Sequence, residues 1–238
     1  MIFRNKKANL AEGLAKYEKE PPGYKKRTRT VSETASRYVY DKEENCYRNT
    51  EVRSENTARL MCVGDLMCEE KMYKAYNFDD KFLPYGIFYY VKKVFAEADF
   101  VIGNLETTIC EEAPYTGEEY KINGKYHCNA PASYLDILKY AGFDMFALSN
   151  NHNLDCGALG IGETIEEVEK RKFLHTGLYT DPNEKDRYVV VNINGIKVAF
   201  LSYSTWFNRN LNRLTEKGQG LLNIYDIEKV KENITAAK

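Results

Sequence analysis

Three short apolar segments of this chain each end in polar residues, and this pattern constrains the fold more than any other feature. Asp65 stands at the end of the first segment, Asn104 and Glu106 at the end of the second, and Asn151 and His152 at the end of the third. Amphipathic helical patterns separate the three segments. Strands that alternate with helices predict an α/β fold with a largely parallel sheet. The polar residues are then expected at one edge of that sheet, where open α/β sheets bind their ligands.

The apolar periodicities give the order of the predicted elements. Strands are predicted over 59–64, 99–106, 145–150 and 173–178, and helices over 82–98, 129–144, 160–172 and from Asp226 onward. Two alternating apolar runs flank Asn194-Gly195, a dipeptide that favours a two-residue hairpin turn. The side chains expected on the buried faces of the helices are Ile87, Val91, Val94, Phe95, Ala98, Tyr134, Leu135, Leu138, Ala141, Ile161, Ile165, Val168, Ile227, Val230 and Ile234.

The first 57 residues differ from the rest of the chain in their pattern. They are densely charged and show little apolar periodicity. We therefore interpret 1–57 as a charged N-terminal extension, partly helical over 9–20 and otherwise irregular, and 58–238 as one domain. The whole chain has 34 basic and 35 acidic residues, and this balance argues against a dedicated nucleic-acid-binding protein.

Three further features concern the compartment. The chain has no run of about 18 apolar residues, so no membrane span is predicted. The N-terminus lacks the apolar core of a secretory signal, and the cytoplasm is the expected location. The six cysteines form no C-x-x-C motif. We expect them to be mostly reduced and buried, with Cys62 and Cys110 as small core residues.

The polar groups at the three strand ends form a coherent chemical set. Asp65 and Glu106 offer anionic oxygens, Asn104 and Asn151 offer amide oxygens, and His152 offers an imidazole that can act as a ligand or a general acid. Oxygen-rich sites with some nitrogen suit a divalent metal such as magnesium, manganese, iron or zinc. Such an ion can polarise a phosphoryl oxygen and activate water.

Each of these residues also has a purely structural interpretation. Asp65 can cap the segment that follows it, Glu106 can be a surface carboxylate, and His152 can be a hydrogen-bonded core histidine. The asparagines, Asn150 among them, can be turn residues. We interpret Asp155 as the cap of the helix that follows it. The coincidence of such groups at three strand ends favours a functional crevice.

The segments VGDLM, ADFVIGNLETTI, AGFDMFALSNNHNLDCG and NINGIKVAFLSYS resemble, in order and spacing, the CapA family of bacterial capsule and poly-γ-glutamate synthesis proteins. The resemblance covers about residues 58–238. It implies a calcineurin-like metallophosphoesterase-type architecture, in which two facing sheets lie between layers of helices. It also implies that Asp65 and Asn151 are metal ligands and that His152 can protonate a leaving group. Asn104 and Glu106 occupy the region where true metallophosphatases have a bridging aspartate.

Three departures from the metallophosphatase pattern accompany this resemblance. Met67 stands where ordinary metallophosphatases have a histidine, and Asn104 stands where they have the bridging aspartate, unless Glu106 takes that role. Relatives continue with further strands that bring more histidines to the site. This chain has 3 histidines, of which His127 is expected to be structural or substrate-facing and His175 to be a strand residue. The domain is therefore expected to be C-terminally incomplete.

Three functions are compatible with these residues. The first is a capsule or poly-γ-glutamate biosynthesis protein of the CapA type with a metallophosphatase-like metal site. Its expected partners are an anionic polymer or phosphoester and components of a capsule or polyglutamate synthase. The second is a metal-dependent phosphoesterase or hydrolase, in which a divalent metal is held by Asp65, Asn104, Glu106 and Asn151 and His152 is the general acid. The third is a truncated, non-catalytic binding protein. No nucleic-acid partner is expected.

Overall fold

The computed structural model of this protein describes residues 37–78, 81–82, 85–111, 113–116 and 127–238. The helix predicted over 9–20 lies outside the described residues. The strands are β1 (Tyr38–Asp41), β2 (Cys46–Asn49), β3 (Leu60–Asp65), β4 (Asn77–Phe78), β5 (Lys81–Phe82), β6 (Phe100–Asn104), β7 (Thr108–Ile109), β8 (Asn129–Ala130), β9 (Met145–Ala147), β10 (Leu174–Thr176), β11 (Val189–Ile193) and β12 (Ile196–Phe200). The helices are α1 (Glu70–Tyr76), α2 (Val91–Phe95), α3 (Ser133–Ala141), α4 (Gly157–Lys170), α5 (Glu216–Gln219) and α6 (Ile227–Ala236), with 3₁₀ turns at Tyr85–Phe88 and Leu211–Arg213.

A four-stranded parallel sheet holds the three strands that end in polar residues. Its order is β10-β9-β6-β3, and every neighbouring pair is parallel. The strand ends are in register, because Asp65 lies opposite Asn104 and Asn104 lies opposite Ala147. Within the described residues β3 pairs with β6 alone, so it is an edge strand. The predicted α/β fold with a parallel sheet is confirmed, and the carboxyl ends of three strands meet at one edge.

A second four-stranded sheet has the order β1-β2-β11-β12. β11 and β12 form the predicted antiparallel hairpin. Asn194 and Gly195 at its turn have φ values of 54° and 91°. Both values lie in the left-handed region that a type I′ turn requires, so the hairpin prediction is confirmed.

β1 and β2 lie inside the stretch that was predicted to be an extension. β2 runs parallel to β11, with Tyr47 opposite Val191. Just before β1, Arg37 donates from Nε to Oδ1 of the buried Asp144 at 2.8 Å. Residues 38–49 therefore belong to the second sheet and are not irregular. Their charges cluster in the turn between two four-residue strands, and strands this short show too little alternation to be detected in the sequence.

Two apolar cores lie on opposite faces of the parallel sheet. Between the two sheets, the ring of Phe100 in β6 stacks on that of Phe200 in β12, with centroids 5.1 Å apart. On the other face, Phe146 of β9 packs beneath α3 and α4. The buried residues between the sheets are Tyr38, Phe100, Met145, Leu174, Val191 and Ile193. The two sheets and the helix layer thus form a sandwich with the parallel sheet at its centre.

The predicted inner faces of α3 and α4 are confirmed. Ile161, Ile165 and Val168 of α4 are buried, as are the apolar residues of α3. α3 ends at Gly142, whose φ of 104° is left-handed and whose N–H donates to the carbonyl of Leu138 at 3.1 Å. Glycine adopts this conformation without strain, which explains why the helix stops where the sequence predicts.

The helix predicted over 82–98 is rotated from its expected orientation. A 3₁₀ turn precedes α2, and the segment buries the side chains of Phe88 and Phe95. Phe88 and Phe95 both contact the ring of Phe143, with centroids 6.0 and 5.1 Å away. These large rings fix the rotation, because they bury more apolar area than β-branched side chains do. The residues for which the prediction of burial is wrong are Ile87, Val91 and Val94.

α6 begins as predicted, but its apolar face is not buried. The carboxylate of Asp226 caps the helix by accepting two backbone N–H groups of the first turn. Ile227 and Ile234 are exposed, so the prediction of a buried inner face is wrong. Polar contacts hold this helix to the domain instead, among them a 2.8 Å bond from Asn233 Nδ2 to Tyr203 Oη.

The cysteines follow the expected pattern with one exception. All six lie in the described part of the chain, and none forms a disulfide. Cys110 is buried as predicted, whereas Cys62 is exposed. The prediction for Cys62 is wrong because this residue lies on the edge strand β3. Across the described ranges, no helix is both long enough and apolar enough to cross a membrane.

Candidate metal and catalytic site

The carboxyl edge of the parallel sheet brings three predicted site residues into direct contact. Asn104 is the last residue of β6 and lies between Asp65 of β3 and Glu106 of the following loop. Its Nδ2 donates to Oδ1 of Asp65 at 2.9 Å and to Oε2 of Glu106 at 3.0 Å. A register irregularity at Gly64 sets Asp65 opposite Asn104. One amide group therefore bridges two carboxylates from different parts of the chain.

Asn150 ties the end of the third strand to the second. Its Nδ2 donates to Oδ1 of Asn104 at 3.2 Å and to the carbonyl of Leu105 at 2.9 Å. Its Oδ1 accepts the backbone N–H of His152 at 3.1 Å, which forms an Asx turn. Asn150 is buried, so water competes little for these bonds. This network fixes the segment that carries His152.

The imidazole of His152 lies between two carboxylates. Nδ1 is 2.6 Å from Oδ2 of Asp155, and Nε2 is 3.9 Å from Oε1 of Glu106. Oδ2 of Asp155 also accepts the backbone N–H of Cys128 at 2.6 Å, and this bond fixes the carboxylate. An Nδ1–H that donates to Asp155 leaves Nε2 as the nitrogen that faces Glu106.

Asp155 does not cap α4, contrary to the prediction. The residue at the cap position is Cys156, and no side chain makes a capping hydrogen bond there. The buried carboxylate of Asp155 bonds to His152 and Cys128 instead. The His-x-x-Asp spacing, which places both side chains on one side of a tight turn, was the available signal for this pairing.

The carboxylates of this cluster favour a bound proton or cation beside them. Burial raises the pKa of Glu106 above its ordinary value, and the neighbouring Asp65 carboxylate raises it further. Burial lowers the pKa of His152, but the hydrogen bond and charge of Asp155, together with the charges of Glu106 and Asp65, outweigh that effect. The pKa of His152 is therefore raised overall. A histidine in this state retains its proton closer to neutral pH than a free imidazole does.

Asn151, the remaining predicted ligand, bonds to a partner outside the carboxylate cluster. Its Nδ2 donates to Oδ1 of Asn208 at 3.3 Å, in the loop after β12. The same oxygen accepts the indole N–H of Trp206 at 3.2 Å, and Nδ2 of Asn208 lies 3.5 Å from Nδ1 of His152. Asn208 thus joins this loop to the site. No pattern in the sequence pointed to Asn208, because only the path of the loop brings it here.

The two remaining histidines have partners away from the cluster. Nε2 of His127 donates to the carbonyl of Pro114 at 2.6 Å. Nε2 of His175 lies 3.2 Å from Oε1 of Glu169. These contacts agree with the structural interpretation of His127, and His175 lies in β10 as predicted.

The donor chemistry partly fits a hard divalent cation. Asp65 and Glu106 converge on one nitrogen of Asn104, so the two carboxylates already share a single positively polarised partner. In the part of the chain that the structure describes, no group of three or more His, Cys, Asp or Glu side chains is arranged to hold a metal ion. Two carboxylates of the predicted ligand set thus lie together here, whereas the amide oxygen of Asn104 accepts a hydrogen bond from Asn150 and the amide of Asn151 bonds to Asn208.

Comparison with known families agrees with the strand-end motifs. The model of a family described as bacterial capsule synthesis protein PGA_cap matches residues 59–238. This chain belongs to that family, and the resemblance to CapA proteins is confirmed. It is 27% identical over 158 residues to the capsule biosynthesis protein CapA of Bacillus anthracis, in an alignment that covers 65% of this chain and 36% of that protein. It is 26% identical over 155 residues to the PGA biosynthesis protein CapA of Bacillus subtilis (strain 168), in an alignment that covers 63% of this chain and 38% of that protein. The chain thus spans little more than a third of the length of these relatives.

Proposed function

We propose that this chain acts in capsule or poly-γ-glutamate biosynthesis as a CapA-type protein with a metallophosphatase-like metal site. Its membership of the PGA_cap family supports the biological role. The observation that carries the proposed site is the contact of Asp65, Asn104 and Glu106 beside the imidazole of His152. We also propose that the two-sheet sandwich has the calcineurin-like architecture of metallophosphoesterases. A cytoplasmic location stays a prediction.

The carboxylates and amides have distinct roles in this proposal. Asp65 and Glu106 would hold a divalent ion of manganese, magnesium, iron or zinc, with Asn104 and Asn151 as the amide ligands. When bound, such an ion supplies a Lewis acid and lowers the pKa of water. Burial and the neighbouring Asp65 carboxylate raise the pKa of Glu106, and this supports the assignment, since a cation beside the two carboxylates would offset both effects.

His152 is the proposed general acid. Its Nδ1 is held by Asp155, and its Nε2 is oriented toward the carboxylate cluster. A proton on Nε2 can be donated to the leaving oxygen of a phosphoester or of a linkage in an anionic polymer. Asp155 stabilises the protonated ring and prevents its rotation.

A non-catalytic binding protein is the second candidate function. The observation that favours it is the absence, among the described residues, of a group of three or more strong metal ligands. In this alternative the same edge of the sheet binds an anionic polymer or a component of a capsule or polyglutamate synthase without turnover.

Metal binding separates these functions. We expect purified chain to bind Mn²⁺ and to hydrolyse an aryl phosphodiester only when the metal is present. The Glu106→Gln variant removes one charged ligand and should weaken Mn²⁺ binding by at least about tenfold. Isothermal titration calorimetry with MnCl₂ measures the affinity, and elemental analysis of the purified protein identifies any metal that it retains.

The Glu228→Gln variant is the matched control for this experiment. Glu228 is an exposed carboxylate on α6 that pairs with Lys231, so the variant makes the same chemical change away from the site. Its affinity for Mn²⁺ should equal that of the unmodified chain. Equal affinities in all three proteins, or no binding in any of them, would contradict the metal site and favour the binding protein.

A further inference from the structure

Two cysteine side chains are in contact beside the first turn of α4. Cys156 is the residue that precedes this helix, and Cys110 follows β7 directly. Their thiols lie close enough to form a hydrogen bond with each other. The two residues are far apart in the sequence, so only the fold brings them together.

The position of Thr108 in β7 supports this contact independently. Side chains two positions apart along a strand lie on the same face, so Cys110 follows the face of Thr108. Oγ1 of Thr108 is 3.3 Å from Sγ of Cys156. The sulfur of Cys156 therefore lies on the side of this segment where the thiol of Cys110 is expected.

Hydrogen bonds and packing hold both cysteines in place. The side chain of Asn129 accepts the N–H of Cys110 at 2.9 Å and donates to its carbonyl at 2.8 Å. The carbonyl of Cys156 accepts the N–H of Gly160 at 3.2 Å. A Cβ at position 160 would lie 2.6 Å from Cβ of Cys156, so the glycine leaves the space that the cysteine side chain occupies.

Cys156 is the member of the pair that a solute can reach. It is partly exposed, whereas Cys110 is completely buried. A reagent that modifies the thiol of Cys156 therefore meets a second thiol already in contact with it.

A second pair of neighbouring cysteines, Cys68 and Cys128, lacks these features. Sγ of Cys128 donates to the carbonyl of Cys68 at 3.6 Å and lies 3.1 Å from the hydroxyl of Thr107. Both cysteines are completely buried. A solute cannot reach either thiol while this part of the chain is folded.

We propose that Cys110 and Cys156 form an intramolecular disulfide when the folded chain meets a small disulfide such as oxidised glutathione. The thiolate of Cys156 attacks one sulfur of the oxidant, and one glutathione thiolate leaves. The thiolate of Cys110 then attacks Sγ of Cys156, and the second glutathione leaves. Two protein thiols are oxidised, one small disulfide is reduced, and the two cysteine protons pass to the released glutathiones. The proposal is independent of the metal site and of any turnover.

The surroundings of Cys156 make this reaction slow at neutral pH. Burial raises the pKa of its thiol to about 12, Cys110 and Asp155 add to the rise, and the hydroxyl of Thr108 opposes it. The thiolate is the reactive form, and little of it is present at neutral pH. A sulfur–sulfur bond is about 2.0 Å long, so the two side chains must also rotate toward each other.

The disulfide would join the end of β7 covalently to the start of α4. It encloses a loop of roughly 45 residues, and such a cross-link restricts the unfolded chain more than the folded one. The oxidised protein is therefore expected to be more stable than the reduced protein.

Thiol counting and peptide mapping test this proposal. The reduced full chain and its Cys62→Ser variant, which lacks the exposed thiol of β3, are incubated with oxidised glutathione at about pH 8.5, where more thiolate is present than at neutral pH. We expect the variant to lose two thiols, and mass spectrometry of a non-reduced digest of either protein to show a peptide pair joined through Cys110 and Cys156. Dithiothreitol should restore both thiols. The melting temperature of the oxidised variant should be higher by at least about 5 °C.

The matched control is the Cys62→Ser/Cys156→Ser variant, whose fold is checked by circular dichroism. It should keep all its thiols under the same conditions, because its remaining cysteines are buried. Absence of the peptide pair joined through Cys110 and Cys156 from the digests of both the unmodified chain and the Cys62→Ser variant overturns the proposal, and so does an equal loss of thiols in the control. A disulfide that joins Cys68 to Cys128 instead, or one that forms only after urea is added, overturns it as well.

Discussion

Replacing His152 by alanine is expected to reduce metal-dependent turnover by about 10²- to 10⁴-fold, the usual contribution of a general acid. The imidazole is held by Asp155 at Nδ1 and faces Glu106 with Nε2. The alanine variant lacks this ring and therefore the proposed proton donor. Affinity for Mn²⁺ should change little, since His152 is not among the proposed ligands. Steady-state hydrolysis of an aryl phosphodiester, with calorimetry in parallel, measures both quantities. Unchanged turnover in the variant would remove His152 from the mechanism.

The Asp155→Asn variant tests whether the charge of Asp155 raises the pKa of His152. An asparagine oxygen can still accept the N–H groups of His152 and Cys128, so the ring should keep its position. The negative charge that raises the pKa of His152 is lost, and that pKa should fall.

Activity that needs protonated His152 declines as the pH rises through its pKa, so this limb of the pH profile should move to lower pH in Asp155→Asn. The raised pKa also gives a stability term of definite sign. This term is fully present below the unfolded-state pKa of histidine, about 6.5, and is lost as the pH rises through the folded-state value. A profile that does not move would contradict the proposed role of Asp155.

Phe146→Ala is expected to lower the free energy of unfolding by about 3–5 kcal/mol. Phe146 is completely buried, and its ring centroid is 4.6 Å from that of Phe173 and 5.8 Å from that of Phe143. Alanine leaves a cavity between β9 and the helix layer, and the neighbouring rings are too constrained to fill it. Urea unfolding followed by circular dichroism measures the change.

Tyr90→Ala is the matched control for this loss of an aromatic side chain. Tyr90 belongs to the same helix layer but is mostly exposed, so its removal should alter the free energy of unfolding by no more than about 0.5 kcal/mol. Similar losses in the two variants would show that Phe146 is not at the centre of the core.

The elements that the sequence predicts well are those that local patterns define. The hairpin at Asn194-Gly195 depends on a turn that needs two residues with positive φ, and the end of α3 depends on Gly142. The three strands that end in polar residues are apolar runs of ordinary strand length. Their neighbouring positions in one sheet follow from the general behaviour of α/β chains, and this places Asp65 and Asn104 together.

The features that escaped prediction depend on contacts between distant parts of the chain. Among the described residues β1 pairs with β2 alone, and β2 pairs with β11 more than 140 residues later in the chain, so no local pattern reveals this part of the second sheet. The orientation of α2 depends on contacts of Phe88 and Phe95 with Phe143, which follows α3 in the chain. Asp155 looks like a helix cap until the backbone of Cys128 is brought beside it. Asn208 lies beside Asn151 because of the path of the loop that follows β12.

The edge position of β3 gives Asp65 a different dynamic character from its partners in the site. Glu106 and His152 come from the interior of the domain, whereas β3 is paired on one side only in the described part of the chain. Edge strands open by local unfolding more readily than central ones, so amide hydrogens of β3 should exchange faster than those of β6. A cation shared by Asp65 and Glu106 would fasten this strand to the sheet, and its binding would be seen as slower hydrogen exchange along β3.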